Sequence, residues 1–173
     1  MGNLNKELAY EAKKNGICND WFNLLLKAES KDRLMTMYLK GIDFCLSNEY
    51  PPLSFFREHG KGIMEKYGVF LDEPIAAENS HYVVALGTCE GEAQYTGFAV
   101  GQVFVKHDSK LTITASENSF VMVDMFDNTE VLVKASGNAK VCVNRYGGIV
   151  QTETESGLGH AVIKIIEKNS KTY

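Results

Sequence analysis

The chain has 173 residues, 45% of them hydrophobic, enough to bury one large core or two small ones. Its formal charge of −4 divides evenly, with ten Lys/Arg against twelve Asp/Glu in residues 1–80 and eight against ten in residues 81–173. Neither half offers the basic surface that nucleic acid requires.

The N-terminal MGNLNKELAYEAKK carries charges where a secretory signal would be apolar, and no apolar run approaches bilayer-spanning length. The expectation is a cytoplasmic protein without a membrane partner. Cys18, Cys45, Cys89 and Cys142 are scattered, with no CxxC and no Cys/His pair at zinc spacing, which predicts free thiols, no metal and no cofactor.

The first part of the chain has helical periodicity. Leu4 to Asn15 predicts a polar helix ended by Gly16, and Asn19 or Asp20 is placed to cap a second beginning at Trp21. From Lys31, Met35, Leu39, Ile42 and Leu46 keep helical spacing until Pro51-Pro52 ends the run. A fourth helix is expected from about Ser54, burying Phe56, His59, Ile63 and Tyr67, with His59 a satisfied core histidine. Four short helices could also build a helix-turn-helix, but the negative local charge and the missing recognition signal argue against DNA binding. Residues 1–68 are therefore assigned to a helical domain. Residues 69–80, with Pro74 and the acids Asp72, Glu73 and Glu78, are assigned to a linker.

From residue 81 the pattern becomes β-like, and from Gly101 it repeats every ten residues: GQVFVKHDSK, LTITASENSF, VMVDMFDNTE, VLVKASGNAK, VCVNRYGGIV. Numbering the ten slots from Gly101, slots one and three hold Leu111, Val121, Val131, Val141 and Val103, Ile113, Val123, Val133, Val143, an inward face of β-branched and aliphatic residues. Slot eight holds Asp108, Asn118, Asn128 and Asn138, and slot seven Gly137 and Gly147, residues that tolerate left-handed backbone at corners.

A fixed period is what stacked rungs demand and hairpins do not, so an α+β chain is predicted. Its small N-terminal helical domain is followed by a short β-solenoid, parallel β-helix-like, over residues 81–167, with a charged tail at 168–173. An antiparallel meander or sandwich is the alternative. Ten residues are too few for one rung, so a rung should be two tens, stacking Asp108 on Asn128 and Asn118 on Asn138. Gly87 to Gly101 keeps the repeat poorly and suits a first coil or a capping hairpin. The polar QTETESGLGH suits an extruded loop or a divergent strand, after which Ala161, Ile163 and Ile165 return to slots one, three and five.

At ASGNAKVCV, residues 135–143, the chain resembles short β-solenoid proteins with x-Val-x-Ala-x-Gly-Asn-Ala-x-Val repeats, often encoded by phages and other mobile elements. The resemblance covers roughly residues 101–148. It implies a fold and oligomerisation rather than a reaction, because its motif describes corners and core slots.

Candidate functional positions are few. Slot two lies opposite the valines and yet carries Met122, Leu132 and Cys142, followed by Val162, an apolar column to be covered by the helical domain or by another subunit; a homo-oligomer is expected, with a trimer favoured. Arg145 and Tyr146 break the slot rules beside Gly147-Gly148, and together offer a forked cation and a stacking face for a small anionic, nucleotide-like ligand. The structural alternative pairs Arg145 with Glu153 or Glu155 as a cap. Asp124, Asp127 and Glu130 are the acids a carbohydrate-active enzyme would need, though a solvated edge with an Asx corner accounts for them. The favoured function is a non-enzymatic oligomeric binding module with a protein or small anionic partner.

The inward face makes one direct prediction. Val133→Asp places an unpaired charge in a dry ladder at a cost of several kcal/mol, comparable with the whole stability margin, so the variant should unfold. A wild-type melting temperature would show that the inward face is misassigned.

Overall fold

The computed structural model describes residues 3–155 and 159–173. The chain forms two compact units, the first ending at Tyr67 and the second beginning at Gly68.

The first unit is built from five helices. Helix α1, Leu4–Lys14, buries Leu8, Ala9 and Ala12. It ends where Gly16 turns to φ 86, letting the Ile17 and Gly16 amides donate to the Ala12 and Lys13 carbonyls at 3.1 Å each, a Schellman closure. Helix α2, Asn19–Leu26, starts earlier than expected, with Cys18 at its cap position and no side-chain capping bond.

The single run expected from Lys31 to Leu46 is two helices, α3 (Lys31–Lys40) and α4 (Ile42–Ser47), interrupted at Gly41. Ser30 caps α3 by accepting from the Arg33 amide at 3.1 Å.

Helix α5 covers only Leu53–His59 and is followed by a separate 3-10 turn, Met64–Tyr67. Phe56 and Met64 are buried there, while His59, Ile63 and Tyr67 are half-buried. His59 is thus not a core residue. It lies against Phe55, with ring centroids 4.9 Å apart, and its Nε2 is 3.6 Å from Glu58.

The second unit is a β-solenoid of two parallel sheets. Sheet A has the order β1-β3-β5-β7-β9-β11 and sheet B the order β10-β8-β6-β4-β2, so successive strands alternate between sheets. The strands are β1 (Val69–Leu71), β2 (Pro74–Glu78), β3 (Tyr82–Leu86), β4 (Glu90–Tyr95), β5 (Val100–Val105) and β6 (Lys110–Ala115), followed by β7 (Phe120–Met125), β8 (Glu130–Ala135), β9 (Lys140–Arg145), β10 (Ile149–Thr154) and β11 (Val162–Glu167).

Val103 stacks on Val123 and Val123 on Val143, twenty residues apart, so the coil is two tens. The predicted side-chain stacks are present: Asn128 Nδ2 donates to Asp108 Oδ1 at 3.2 Å and Asn138 Nδ2 to Asn118 Oδ1 at 3.4 Å. Val121, Val123, Val131, Val133, Val141 and Val143 are all buried.

Three expectations need correction. Residues 69–80 are not a linker but the first coil: β1 pairs with β3 and β2 with β4. Pro74 is tolerated because it opens β2, an edge strand of sheet B. The register there, Val69 on Val84 and Pro74 on Glu90, is shorter than twenty, which hid the coil from a period-ten reading. Of the two readings of the poorly kept stretch before Gly101, the coil holds and the hairpin does not, since the stretch contains β4, a parallel strand in register with β6.

At the far end, the polar segment does contain a divergent strand, β10, but Val150 stacks on Val131 and Ile163 on Val141, so Ile163 and Ile165 occupy slots one and three. Residues 156–158 of that segment lie outside the described residues.

The corner chemistry differs from expectation as well. The left-handed residue is slot seven, not the slot-eight Asx: His107, Glu117 and Asp127 have φ 68, 57 and 53 beside Gly97 and Gly137 at 64 and 63. A non-glycine residue there costs about 1 kcal/mol. Each of the three returns a hydrogen bond to the coil before it. Glu117 Oε2 accepts from the Gly97 amide at 2.9 Å, Asp127 Oδ2 from the His107 amide at 3.0 Å, and His107 Nδ1 from the Gly87 amide at 3.1 Å.

Slot nine turns inward and is small. Ser119 Oγ and Thr129 Oγ1 donate at 2.8 Å to the carbonyls of Ser116 and Phe126, so the buried hydroxyls are satisfied by their own corners.

One slot-one residue breaks the aliphatic rule for a packing reason. Tyr95 is fully buried, and a Cβ at Gly101 would lie 2.3 Å from its ring. Gly101→Val, which restores the repeat, should therefore destabilise by about 1–3 kcal/mol through overpacking. The double variant with Tyr95→Ala should melt above Tyr95→Ala alone. Thermal unfolding checks both, and a Gly101→Val protein melting at or above wild type would refute the steric account.

Candidate functional site

The two outward faces of the solenoid differ in chemistry. Sheet B is mainly polar and charged, with Lys110 Nζ 3.1 Å from Glu130 Oε1 and Lys134 Nζ 3.1 Å from Glu153 Oε2, and its exposed apolar residue Ile149, at 61%, stands beside Glu130 on the outermost strand. Sheet A carries Val100 and Phe120 side by side in register, 51% and 40% exposed, with Met122 two residues along at 39%. Phe98, at the corner leading into β5, is 84% exposed.

The slot-two column does not form as expected. Because tens alternate between sheets, Met122 and Cys142 are neighbours on sheet A, while Leu132 stands on sheet B between Thr112 and Gln151. The shifted last coil puts Lys164 on Cys142 and Val162 on Lys140. Slot ten, which had drawn no attention, supplies Val100 and Phe120 instead. The signal was available in the sequence, since the same slot on the other sheet holds Lys110 and Glu130.

The C-terminal end of the solenoid is open among the described residues. Strands β10 and β11 are the outer members of their sheets, and inward-pointing Ile165 is 40% exposed. On the sheet B side, Thr152 and Thr154 stack on Val133 and Ala135, so hydroxyls replace aliphatic groups in the last inward row.

Arg145 and Tyr146 sit at this end. Arg145 Nε donates to Glu167 Oε2 at 3.0 Å, a partner on β11 rather than Glu153 or Glu155. Tyr146 stacks on Phe126, with centroids 4.8 Å apart and planes 14° from parallel, and Lys168 Nζ lies 5.7 Å from its ring centre. Lys106 Nζ lies 5.4 Å from the Phe126 ring and pairs with Asp127 Oδ2 at 3.0 Å. Lys106, Phe126, Tyr146 and Lys168 thus form a corner column in which rings and cations lie together, and burial together with the Asp124 carboxylate raises the Tyr146 phenol pKa. Lys168, assigned to a frayed tail, belongs to this coil, its amide donating to the Arg145 carbonyl at 2.9 Å.

The three candidate acids do not converge. Asp124 accepts from Asn144 Nδ2 at 2.6 Å on sheet A, Asp127 holds Lys106 and the His107 amide at a corner, and Glu130 pairs with Lys110 on sheet B. Each works within its own column, which is a structural use.

The helical unit contains a feature the sequence did not disclose, a cleft of about 420 Å³ lined by aromatic and aliphatic side chains that periodicity assigns simply to the core. No helix among the described residues is long and apolar enough to cross a membrane, and Cys18, Cys45, Cys89 and Cys142 are free.

Removing the Arg145 ion pair and the Tyr146 ring stack should have unequal effects. Arg145→Ala loses a largely exposed ion pair worth about 0–1 kcal/mol, whereas Tyr146→Ala loses a ring stack worth about 0.5–1.5 kcal/mol beyond its buried area. Chemical denaturation should rank Tyr146→Ala as the less stable, and the opposite ranking would assign the end of the solenoid to the ion pair. No protein-family model, curated protein or solved structure matches this chain.

Proposed function

We propose that this protein is a non-enzymatic assembly module in which the solenoid associates with copies of itself through the outer face of sheet A. The observation that carries the reading is the asymmetry of the two faces: Val100, Phe120 and Met122 cluster on sheet A with Phe98 at their edge, while sheet B is laced with ion pairs. Contiguous exposed apolar side chains rimmed by polar ones mark association surfaces. The likeness of the repeat to phage-type solenoids supports the same reading, with a trimer as the favoured closed arrangement and the reducing cytoplasm as the compartment suited to four free thiols.

A second reading, a small anionic, nucleotide-like ligand at Arg145 and Tyr146, draws support from Lys168 lying over the Tyr146 ring. It is weakened by the engagement of Arg145 with Glu167.

Light scattering on the eluting protein should give a multiple of the 19.2 kDa chain mass. Phe120→Lys combined with Met122→Lys should return that mass to a single chain with an unchanged circular dichroism spectrum. A wild-type protein that stays monomeric at high micromolar concentration would sink the assembly reading.

A further inference from the structure

We infer that the helical unit binds a small, neutral, mainly apolar molecule carrying one hydrogen-bond acceptor, held in the cleft formed by α1 to α5 with the acceptor on the Tyr38 hydroxyl. The inference concerns the helical unit alone and stands whether or not the solenoid assembles.

The cleft volume of about 420 Å³ lies in the range of small-molecule sites, roughly 300–1,000 Å³. The cleft walls include Trp21, Leu25, Met35, Phe44 and Phe56, which offer flat and branched apolar surface.

The polar groups decide the ligand class. Two buried tyrosines line the cleft, and they differ. Tyr50 donates its hydroxyl proton to the Leu8 carbonyl at 2.9 Å and is satisfied by the fold. Tyr38, only 7% exposed, packs edge-on against Phe56, but its hydroxyl has no hydrogen-bond partner among the described residues. Its oxygen is not sealed from solvent, so the proton is available to an acceptor on a ligand that enters the cleft.

Burial drives the Tyr38 phenol and the Cys45 thiol well above their ordinary pKa values, so both remain protonated and the floor of the cleft presents no charge. The charged lining residues are Lys40 and Asp43, both exposed and opposite in sign, giving the rim no net preference for an ion. A carboxylate or phosphate would lose its hydration without a buried cation to replace it.

The experiment is direct because Trp21 is the only tryptophan in the chain and lines the cleft. Nile red, a neutral apolar dye with a carbonyl acceptor, is titrated into the full-length protein. The expected result is saturable, blue-shifted dye emission with quenching of Trp21 at one dye per chain. Tyr38→Phe should keep the helical circular dichroism and bind about tenfold more weakly, the loss of one hydrogen bond. Leu34→Trp, which fills the cleft from a half-buried position, should abolish binding, with circular dichroism confirming the fold. Decanamide should displace the dye at least tenfold more effectively than decanoate. Absence of saturable binding, equal affinity in Tyr38→Phe, undiminished binding in folded Leu34→Trp, or decanoate matching decanamide would each overturn the inference.

Discussion

Everything in the solenoid depends on the corner. A parallel coil can stack only if each turn returns the chain to the same height and register, and here that return is made at slot seven, where the backbone is left-handed whatever the residue. The cost of forcing His107, Glu117 and Asp127 into that conformation is offset by what their side chains do. Each accepts the amide of the slot-seven residue one coil back, a donor that would otherwise lack a partner. The small slot-nine hydroxyls then close the corner carbonyls from inside, so the turn is sealed on both sides without bulk.

Where that rule lapses, the fold changes character. The turn after Arg145 is one residue short, Val150 pairing with Val131, and the next is longer, Ile163 pairing with Val141. The last coil therefore sits in a shifted register, and the Arg145–Glu167 pair and the Tyr146 stack on Phe126 join it to the regular coils. Threonines in place of inward aliphatic residues on sheet B reduce the apolar surface left at the open end, while Ile165 on sheet A keeps some of it exposed. An end with unpaired strand edges and mixed polarity is a weaker aggregation template than a uniformly aliphatic one.

The helical unit follows a different logic. Its helices are short, broken at Gly41 and before Met64, and held by edge-on aromatic contacts such as Tyr38 with Phe56 and Tyr10 with Phe22. Aromatic rings meeting at steep angles support one another at a distance, which is compatible with a cleft among them in a way that interlocking aliphatic side chains would not be. The solenoid has the opposite property: its inward rows are mostly small and aliphatic, and the Tyr95 ring among them is accommodated by the missing side chain at Gly101.

The sequence by itself determined the solenoid, its twenty-residue coil and its buried valines, because stacking identical coils repeats every local requirement at a fixed spacing. Val133 and the Asn128–Asp108 stack are legible for that reason. It also marked the helices of the first unit, whose apolar spacing is local. Where spacing departs from the period, the pattern carried no information: the first coil at Val69 to Glu78 passed for a linker, and the last coil was placed two slots out. Only the tertiary structure decided which outward residues share a face. Met122 and Leu132 look equivalent in the repeat, but a coil of two tens sends them to opposite sheets and brings Val100 beside Phe120 instead. The cleft around Tyr38 was equally out of reach, since periodicity tells which face of a helix is apolar but not how closely five such faces meet.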